Sequence, residues 1–326
     1  MDRDGGGDPR ADLNLKRSLV LVVALAVAVV VALAAYSDGK LGAELASFRW
    51  ELFPLALALT TANYALRFWR WQRYLARVDI HVPFARSLSI FTAGLTMTIT
   101  PAKLGELLKC ALLHRSFEVP VRRSAPVVLA ERVTDASGVV VLALVGGAGT
   151  RSWPLLVVAA VAVVGAVVVV RSPLLERFAF FGEAAAASRA LLTVPLFVGM
   201  TLLSAASWFF ESLAAYVCVR GLDLDLSLGD TIVVFSLGSL AGAASFLPGG
   251  LGVADASMTG LIRLLGDVPK AAAAAATVLI RLATLWYGVA LGLLGLAVEE
   301  RPARQENGRA GRAAATSYGR RRKRAP

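Results

Sequence analysis

Ionisable residues recur inside the long apolar stretches of this sequence. Acids and bases occur together there, at Lys103, Glu106, Lys109, Glu131, Arg132, Asp135, Glu211, Asp255, Arg263 and Arg281. The stretches reach about 20 residues, the length that crosses a bilayer core. An ionisable group in hydrocarbon costs about 2.5–3.5 kcal/mol on insertion scales. We therefore expect these groups to face one another, a bound polar group or water, and not lipid.

Two of the apolar stretches are interrupted near their centres by helix-breaking residues. These residues are Pro101 and Gly105 in the first stretch (residues 89–114), and Pro248, Gly249, Gly250 and Gly252 in the second (residues 231–263). Backbone that leaves the helix is costly in lipid, so it is found where it is buried in protein or lines a wet cavity. Interrupted helices of this kind often form transporter binding sites.

The charges beside these breaks predict an anion site. Lys103 and Glu106 lie beside the first break, where the ends of half-helices present backbone N–H groups and a positive dipole end. Together with Arg132 and Arg281 they predict the binding of an anionic headgroup such as phosphate. A soluble anion fits the same charges. Buried ion pairs that hold helices together are the alternative, particularly for Asp135 and Glu211.

Arginines and aromatic residues alternate between Arg67 and Tyr74. The pattern is typical of an interfacial aromatic belt with arginines that reach toward the headgroups. A docking patch for a lipid headgroup, formed by Arg67 and Arg70, is the second interpretation.

The composition indicates an all-α polytopic membrane protein, since 57% of the 326 residues are hydrophobic. Six spanning helices are predicted, at about 18–36, 50–67, 124–148, 153–170, 193–219 and 271–298. Residues 1–17 are predicted to be a disordered N-terminal segment. Residues 18–298 form the transmembrane domain, and residues 299–326 form a basic disordered tail.

Loop charges orient these helices because Lys and Arg are enriched in cytoplasmic loops. They predict that both termini are cytoplasmic and that the two interrupted stretches are re-entrant hairpins of opposite sidedness. Each half, about 18–148 and 153–298, then reads as helix, helix, hairpin, helix, in an inverted repeat. In support, Pro101 precedes Arg132 by 31 residues, and Pro248 precedes Arg281 by 33.

Other features point away from metal, cofactor or nucleic-acid chemistry. Cys110 and Cys218 lie in apolar runs, as buried thiols do, and His81 and His114 have no second ligand nearby in the sequence. We predict no metal site and no cofactor. The tail carries nine Lys or Arg residues between Arg301 and Arg324, which favours an anionic lipid surface over nucleic acid.

At these motifs the chain resembles the flippase-like membrane domain of lysylphosphatidylglycerol synthases, which also occurs alone. The matching segments are Arg67-x2-Arg70-Trp71, Thr100-Pro-Ala-Lys103-Leu-Gly105-Glu106-Leu-Leu-Lys109, Glu131-Arg132-Val-Thr-Asp135, Leu247-Pro248-Gly-Gly-Leu-Gly252-Val-Ala-Asp255, and Arg281. Two departures concern charge geometry. The family usually has Arg where Lys103 and Lys109 stand, and Glu where Asp255 stands.

The resemblance implies a role in moving a modified or phosphate-bearing lipid between the leaflets of the cell membrane. The full synthases carry a soluble aminoacyl-transfer domain, whereas about 28 residues follow the last predicted helix here, so we expect no enzyme activity. The expected partners are a phospholipid or polyprenyl-phosphate lipid, and a synthase that modifies it. The alternatives are a membrane enzyme, or a non-catalytic subunit, in envelope lipid or glycan synthesis.

Overall fold

The regular elements of this computed structural model, which describes residues 23–24, 26–99, 107–147, 190–191 and 193–299, are all helical. The helices, numbered for this article, are α1 (Ala26–Tyr36), α2 (Leu41–Ser47), α3 (Phe53–Arg77), α4 (Phe84–Leu95), α5 (Leu107–Phe117), α6 (Val121–Gly146), α7 (Val194–Gly221), α8 (Leu228–Ala244), α9 (Val253–Gly266) and α10 (Lys270–Glu299). The predicted all-helical class is confirmed for this part of the chain.

Two of these helices, α7 and α10, are long and apolar enough to cross a membrane. They agree with the predicted spans 193–219 and 271–298. A third span is formed if α1 and α2 act as one segment, although the two helices meet at a 95° bend. Helices α3 and α6 have 25 and 26 residues and thus sufficient length, but several of their residues are charged. The span 153–170 lies outside the described residues, so the count of six stays a prediction.

Helix α3 extends ten residues beyond its predicted end at residue 67. Its last turns carry Arg70, Trp71 and Tyr74, which are fully buried. Trp71 donates from Nε1 to the Ser87 hydroxyl at 3.2 Å, which joins α3 to α4. The interpretation of this segment as an interfacial aromatic belt is therefore wrong for its buried residues, because packing against the following helices removes them from the surface.

The second interrupted stretch forms a helical hairpin. Helix α8 ends at Ala244, the segment Pro248–Gly250 makes a short 3₁₀ turn, and α9 begins at Val253. Pro248 has no backbone N–H to continue the α8 ladder. Gly250 has a φ of +65°, and its Cα approaches the backbone of Gly242 so closely that a Cβ would lie 2.8 Å from the Gly242 Cα. The glycines therefore allow α8 and α9 to pack directly against each other.

The first interrupted stretch brings α4 against α5 on either side of its break. Helix α4 tightens into a 3₁₀ turn at Thr96–Ile99, and α5 begins at Leu107. The break residues Pro101 and Gly105, with Lys103 and Glu106, lie outside the described residues. The turn Thr96–Ile99 contacts the turn Pro248–Gly250 of the other hairpin. The turn that precedes the first break thus lies against the turn of the second hairpin.

Helix α10 contacts both hairpins along its length. Its first half packs on α9, and Gly292 in its second half lies against the 3₁₀ turn of the first hairpin, where a Cβ would be 2.3 Å from the Thr96 nitrogen. Between these contacts, Leu282–Trp286 forms a π turn. Helix α7 packs along α3 and α6 and completes the core.

Substituting Gly250 with alanine should destabilise the hairpin. The new Cβ would meet backbone atoms of Gly242 and would also require a positive φ, which alanine rarely adopts. We expect a loss of several degrees in the apparent Tm of the purified protein in detergent, measured by thermal unfolding.

Gly260→Ala is the matched control, because a Cβ at this α9 position has nothing within 4 Å. Equal Tm values for Gly250→Ala and the parent protein would contradict the packing described for the hairpin.

Candidate functional site

A cavity of about 290 Å³ lies where the second hairpin meets α3, α6, α7 and α10. Three arginines line it, Arg67 from α3, Arg132 from α6 and Arg281 from α10. The carboxylates of Asp135 and Glu211 are also in its wall. Thr98, in the turn that follows α4, also lines the cavity. The cavity is therefore a charged, partly open compartment within the helical core.

Asp135 is the centre of the charge cluster. Its carboxylate lies 2.7 Å from Arg70 Nη1, 2.8 Å from Arg132 Nη2 and 3.6 Å from Arg67 Nη2. The helical repeat explains the assembly, because Arg67 and Arg70 are three residues apart on α3, and Arg132 and Asp135 are three apart on α6. Three guanidinium groups around one carboxylate hold α3 against α6.

Helix α7 supplies two further donors to the same carboxylate. Ser204 Oγ donates to Asp135 Oδ1 at 2.9 Å, and Trp208 Nε1 donates to the same oxygen at 3.2 Å. The Trp208 ring also lies beneath the Arg67 guanidinium, 5.9 Å from the ring centroid. Asp135 is thus buried among five donors from three helices.

A second charge cluster joins α10 to the hairpin turn. Arg281 Nε lies 3.0 Å from Asp255 Oδ1, and Arg281 Nη2 donates to the Gly249 carbonyl at 2.6 Å. The Gly252 N–H donates to Asp255 Oδ2 at 2.8 Å. An arginine thus binds the carbonyl and the carboxylate at the helix break, where interrupted transporter helices commonly coordinate a cation.

The π turn of α10 follows Arg281 directly. Such turns alter the i→i+4 hydrogen bonding and often occur at functional sites. Tyr64 of α3 donates its hydroxyl hydrogen bond to the Thr284 carbonyl within this turn, at 2.9 Å. Tyr64 also lines the cavity. The π turn is therefore tied to α3 beside the arginines.

Lys109 and Glu131 form a separate ion pair that does not line the cavity. Lys109 Nζ donates to Glu131 Oε2, and both side chains are buried. The ammonium lies 4.4 Å from the Trp71 ring centroid and 5.6 Å from that of Phe91. The two rings enclose the Lys109 ammonium. The ion pair joins α5 to α6, and neither of its residues lines the cavity.

The predicted site residues therefore divide into three groups. Those in the cavity wall are Arg67, Arg132, Asp135, Arg281, Gly249 and Gly250. Those that support the wall or pair elsewhere are Arg70, Asp255, Lys109, Glu131, Pro248 and Gly252. Those outside the described residues are Pro101, Lys103, Gly105 and Glu106.

The aromatic wall of the cavity was missed by the sequence interpretation. Tyr64, Trp208 and Phe235 line the cavity with Glu211. A signal existed on α7, where Ser204, Trp208 and Glu211 recur at helical spacing within an otherwise apolar stretch. The same spacing is produced by residues that pack helices, so it does not identify a cavity.

The charges around the cavity are of the kind that suits an anion. Among the described residues in and beside it, four arginines (Arg67, Arg70, Arg132 and Arg281) face three carboxylates (Asp135, Glu211 and Asp255), which leaves one formal positive charge. Guanidinium groups match phosphate oxygens in pairs of hydrogen bonds. The described residues contain no cluster of three or more metal ligands.

Comparison with known proteins agrees with a membrane domain. A family model described as the lysylphosphatidylglycerol synthase TM region matches residues 18–292. Two proteins of Methanothermobacter thermautotrophicus, each named UPF0104 membrane protein, are 34% identical over 93 residues and 35% identical over 89. The alignments cover 28% and 27% of this chain, and 28% and 26% of the two relatives.

Asp135→Asn should destabilise the protein strongly. The amide cannot balance the surrounding arginines, and removing one partner of a buried ion cluster costs about 3–5 kcal/mol. We expect a large fall in the apparent Tm in detergent. Asp223→Asn is the control, since Asp223 pairs with Arg49 at 3.0 Å but its side chain is 79% exposed. A similar small effect of both substitutions would show that the cluster does not stabilise the core.

Proposed function

The chain belongs to the family of the lysylphosphatidylglycerol synthase transmembrane region, and on this premise we propose that it is a flippase-like translocase. It moves a phosphate-bearing lipid between the two leaflets of the membrane. The phosphate binds in the cavity to Arg67, Arg132 and Arg281. No covalent step is part of the proposal, and the protein acts as a transporter, not as an enzyme.

The observation that carries the proposal is the convergence of three arginines on one cavity inside the helical core. Their side chains retain 14%, 25% and 12% exposure for Arg67, Arg132 and Arg281, so each remains accessible from the cavity. Burying these charges is costly, and a cluster with one surplus positive charge offers a favourable place for an anion. A role restricted to helix packing would require no cavity beside the charges.

The rim of the cavity supports a lipid over a soluble anion. Ala243, Phe246 and Leu247 line the cavity, and Phe246 and Leu247 are 69% and 43% exposed. Phe246 is held at a positive φ of 56°, an uncommon conformation for a bulky residue. An apolar rim suits acyl or polyprenyl chains that stay in the bilayer while the headgroup enters. A cavity of about 290 Å³ has room for a headgroup but not for its chains.

The proposed location of the protein is the plasma membrane. The proposed topology has six spans, two re-entrant hairpins and both termini in the cytoplasm. The hairpins are related as inverted repeats. The contact between the turns Thr96–Ile99 and Pro248–Gly250 supports this arrangement, because a pseudo-twofold axis between two inverted hairpins brings their breaks together. Lys103 and Glu106, which lie outside the described residues, stay predicted members of the headgroup site.

The lipid itself is proposed by class only, as a phospholipid, an aminoacylated phospholipid or a polyprenyl phosphate. The arginines recognise the phosphate that these lipids share. A synthase that modifies the lipid is the proposed partner, and the basic tail is proposed to rest on anionic lipid.

Transport can be tested by reconstituting the purified protein in vesicles that contain a fluorescent phospholipid. Exchange between leaflets is measured by the fraction of fluorescence that dithionite removes. Arg281→Gln removes one positive charge from the proposed phosphate site, and we expect the exchange rate to fall about tenfold or more.

Arg263→Gln is the matched control, since Arg263 is exposed and binds the Tyr36 hydroxyl at 2.8 Å. Unchanged exchange in Arg281→Gln and in Arg132→Gln, with correctly folded protein, would remove these residues from the transport site. Product formation without exchange would favour a membrane enzyme.

A further inference from the structure

Glu211 is a buried carboxylate of the cavity wall to which phosphate binding assigns no role. It is 6% exposed and lies 17 residues after the start of α7 and 10 before its end. At 1.5 Å per residue these distances are about 25 Å and 15 Å, so the carboxylate is deep within the hydrocarbon region. Because Glu211 lines the cavity with Arg67, Arg132 and Arg281, its protonation state contributes to the net charge of the cavity.

The groups that face Glu211 come from three helices. Tyr64 and Arg281 interact electrostatically with it, and the same neighbourhood includes the titratable or charged residues Arg67, Arg132, Asp135 and Tyr287. Asp255 is linked to these groups by its ion pair with Arg281. From α8, the described cavity residues Phe235 and Ser239 carry no titratable group.

The other two carboxylates are committed to donors that require the ionised form. Asp135 is surrounded by three guanidinium groups and accepts from Ser204 and Trp208. Asp255 binds Arg281 and accepts from the Gly252 N–H. Protonating either of them would disrupt the packing of helices around the cavity. Glu211 takes no part in these contacts of Asp135 and Asp255.

An incoming phosphate would share the cavity with Glu211, which interacts electrostatically with Arg281. With Glu211 ionised the charge cluster carries one surplus positive charge, and with Glu211 protonated it carries two. Two anions beside the same guanidinium groups repel each other in a region of low dielectric constant. A proton on Glu211 removes the repulsion and adds one positive charge to the binding site.

We propose that Glu211 couples lipid transport to protons, taking up one proton when the phosphate-bearing headgroup binds and returning it when the headgroup leaves. This inference rests on the proposed function. The only bond that forms and breaks is the O–H bond of the Glu211 carboxyl group, and its proton comes from and returns to water. A proton gradient then provides the energy for movement of the lipid against its own gradient.

Calorimetry of the full-length protein in detergent tests the coupling directly. The probe is dihexanoylphosphatidylglycerol, a short-chain lipid whose phosphodiester does not itself titrate near neutral pH. Titrations in buffers of different ionisation enthalpy measure the protons taken up on binding. We expect net uptake by the parent protein, and an affinity that falls by up to about tenfold per pH unit as Glu211 ionises.

Glu211→Gln should bind the probe without proton uptake and with an affinity that no longer depends on pH. Glu51→Gln is the control, because Glu51 is exposed and outside the cavity; it should retain proton uptake. Uptake that persists in Glu211→Gln would overturn the assignment. If that variant does not fold, absence of uptake in the parent protein alone would overturn it.

Vesicles with an imposed pH difference separate this inference from the proposed function. The parent protein should accumulate fluorescent phosphatidylglycerol in the leaflet facing the alkaline side, whereas Glu211→Gln should exchange the lipid without accumulation. Exchange by the parent protein that does not respond to the gradient would overturn proton coupling and leave the translocase proposal standing. No exchange by the parent protein under any condition would overturn the proposed function.

Discussion

The carboxylate of Asp135 is the charge on which the packing of the central helices depends. A protein in a bilayer gains little hydrophobic stabilisation from bringing its helices together, since lipid chains are as apolar as leucine side chains. Helices α3, α6 and α7 are instead joined by arginines, a serine and a tryptophan that converge on one aspartate. The same contacts thus keep these charges out of the lipid and hold the three helices together. The cavity lies beside this cluster, since Arg67, Arg132 and Asp135 form part of its wall.

Much of this arrangement could be predicted from the sequence, because it follows from local pattern. The long apolar stretches predict helices, and Pro248 with its neighbouring glycines predicts the interruption between α8 and α9. The cost of charge in lipid predicts that Arg132, Asp135 and Arg281 face inward, and all three line the cavity. Each inference depends on a property of one segment and the solvent around it.

The partners of these charges could not be predicted in the same way, since they depend on how distant helices pack. Lys109 has the residue type and location of an anion-binding lysine, yet it pairs with Glu131 between two aromatic rings. The sequence pattern predicts that Arg70 lies at the membrane interface, but its side chain is buried in the core. Trp208 and Phe235 resemble ordinary apolar residues until the fold places them beside a cavity. The sequence shows which charges must be neutralised, whereas the tertiary structure determines which groups neutralise them.

The π turn at Leu282–Trp286 also divides α10 into two halves that face different neighbours. An α-helix advances about 100° per residue, and a π turn accommodates roughly one additional residue without lengthening the helix in step. The face that bears Arg281 and the face that bears Gly292 are therefore out of phase by about one residue. A single insertion or deletion within this turn would rotate one half relative to the other. The length of the turn thus sets the angle between the face that bears Arg281 and the face that packs on the turn Thr96–Ile99, so a change of one residue there would re-aim the arginine.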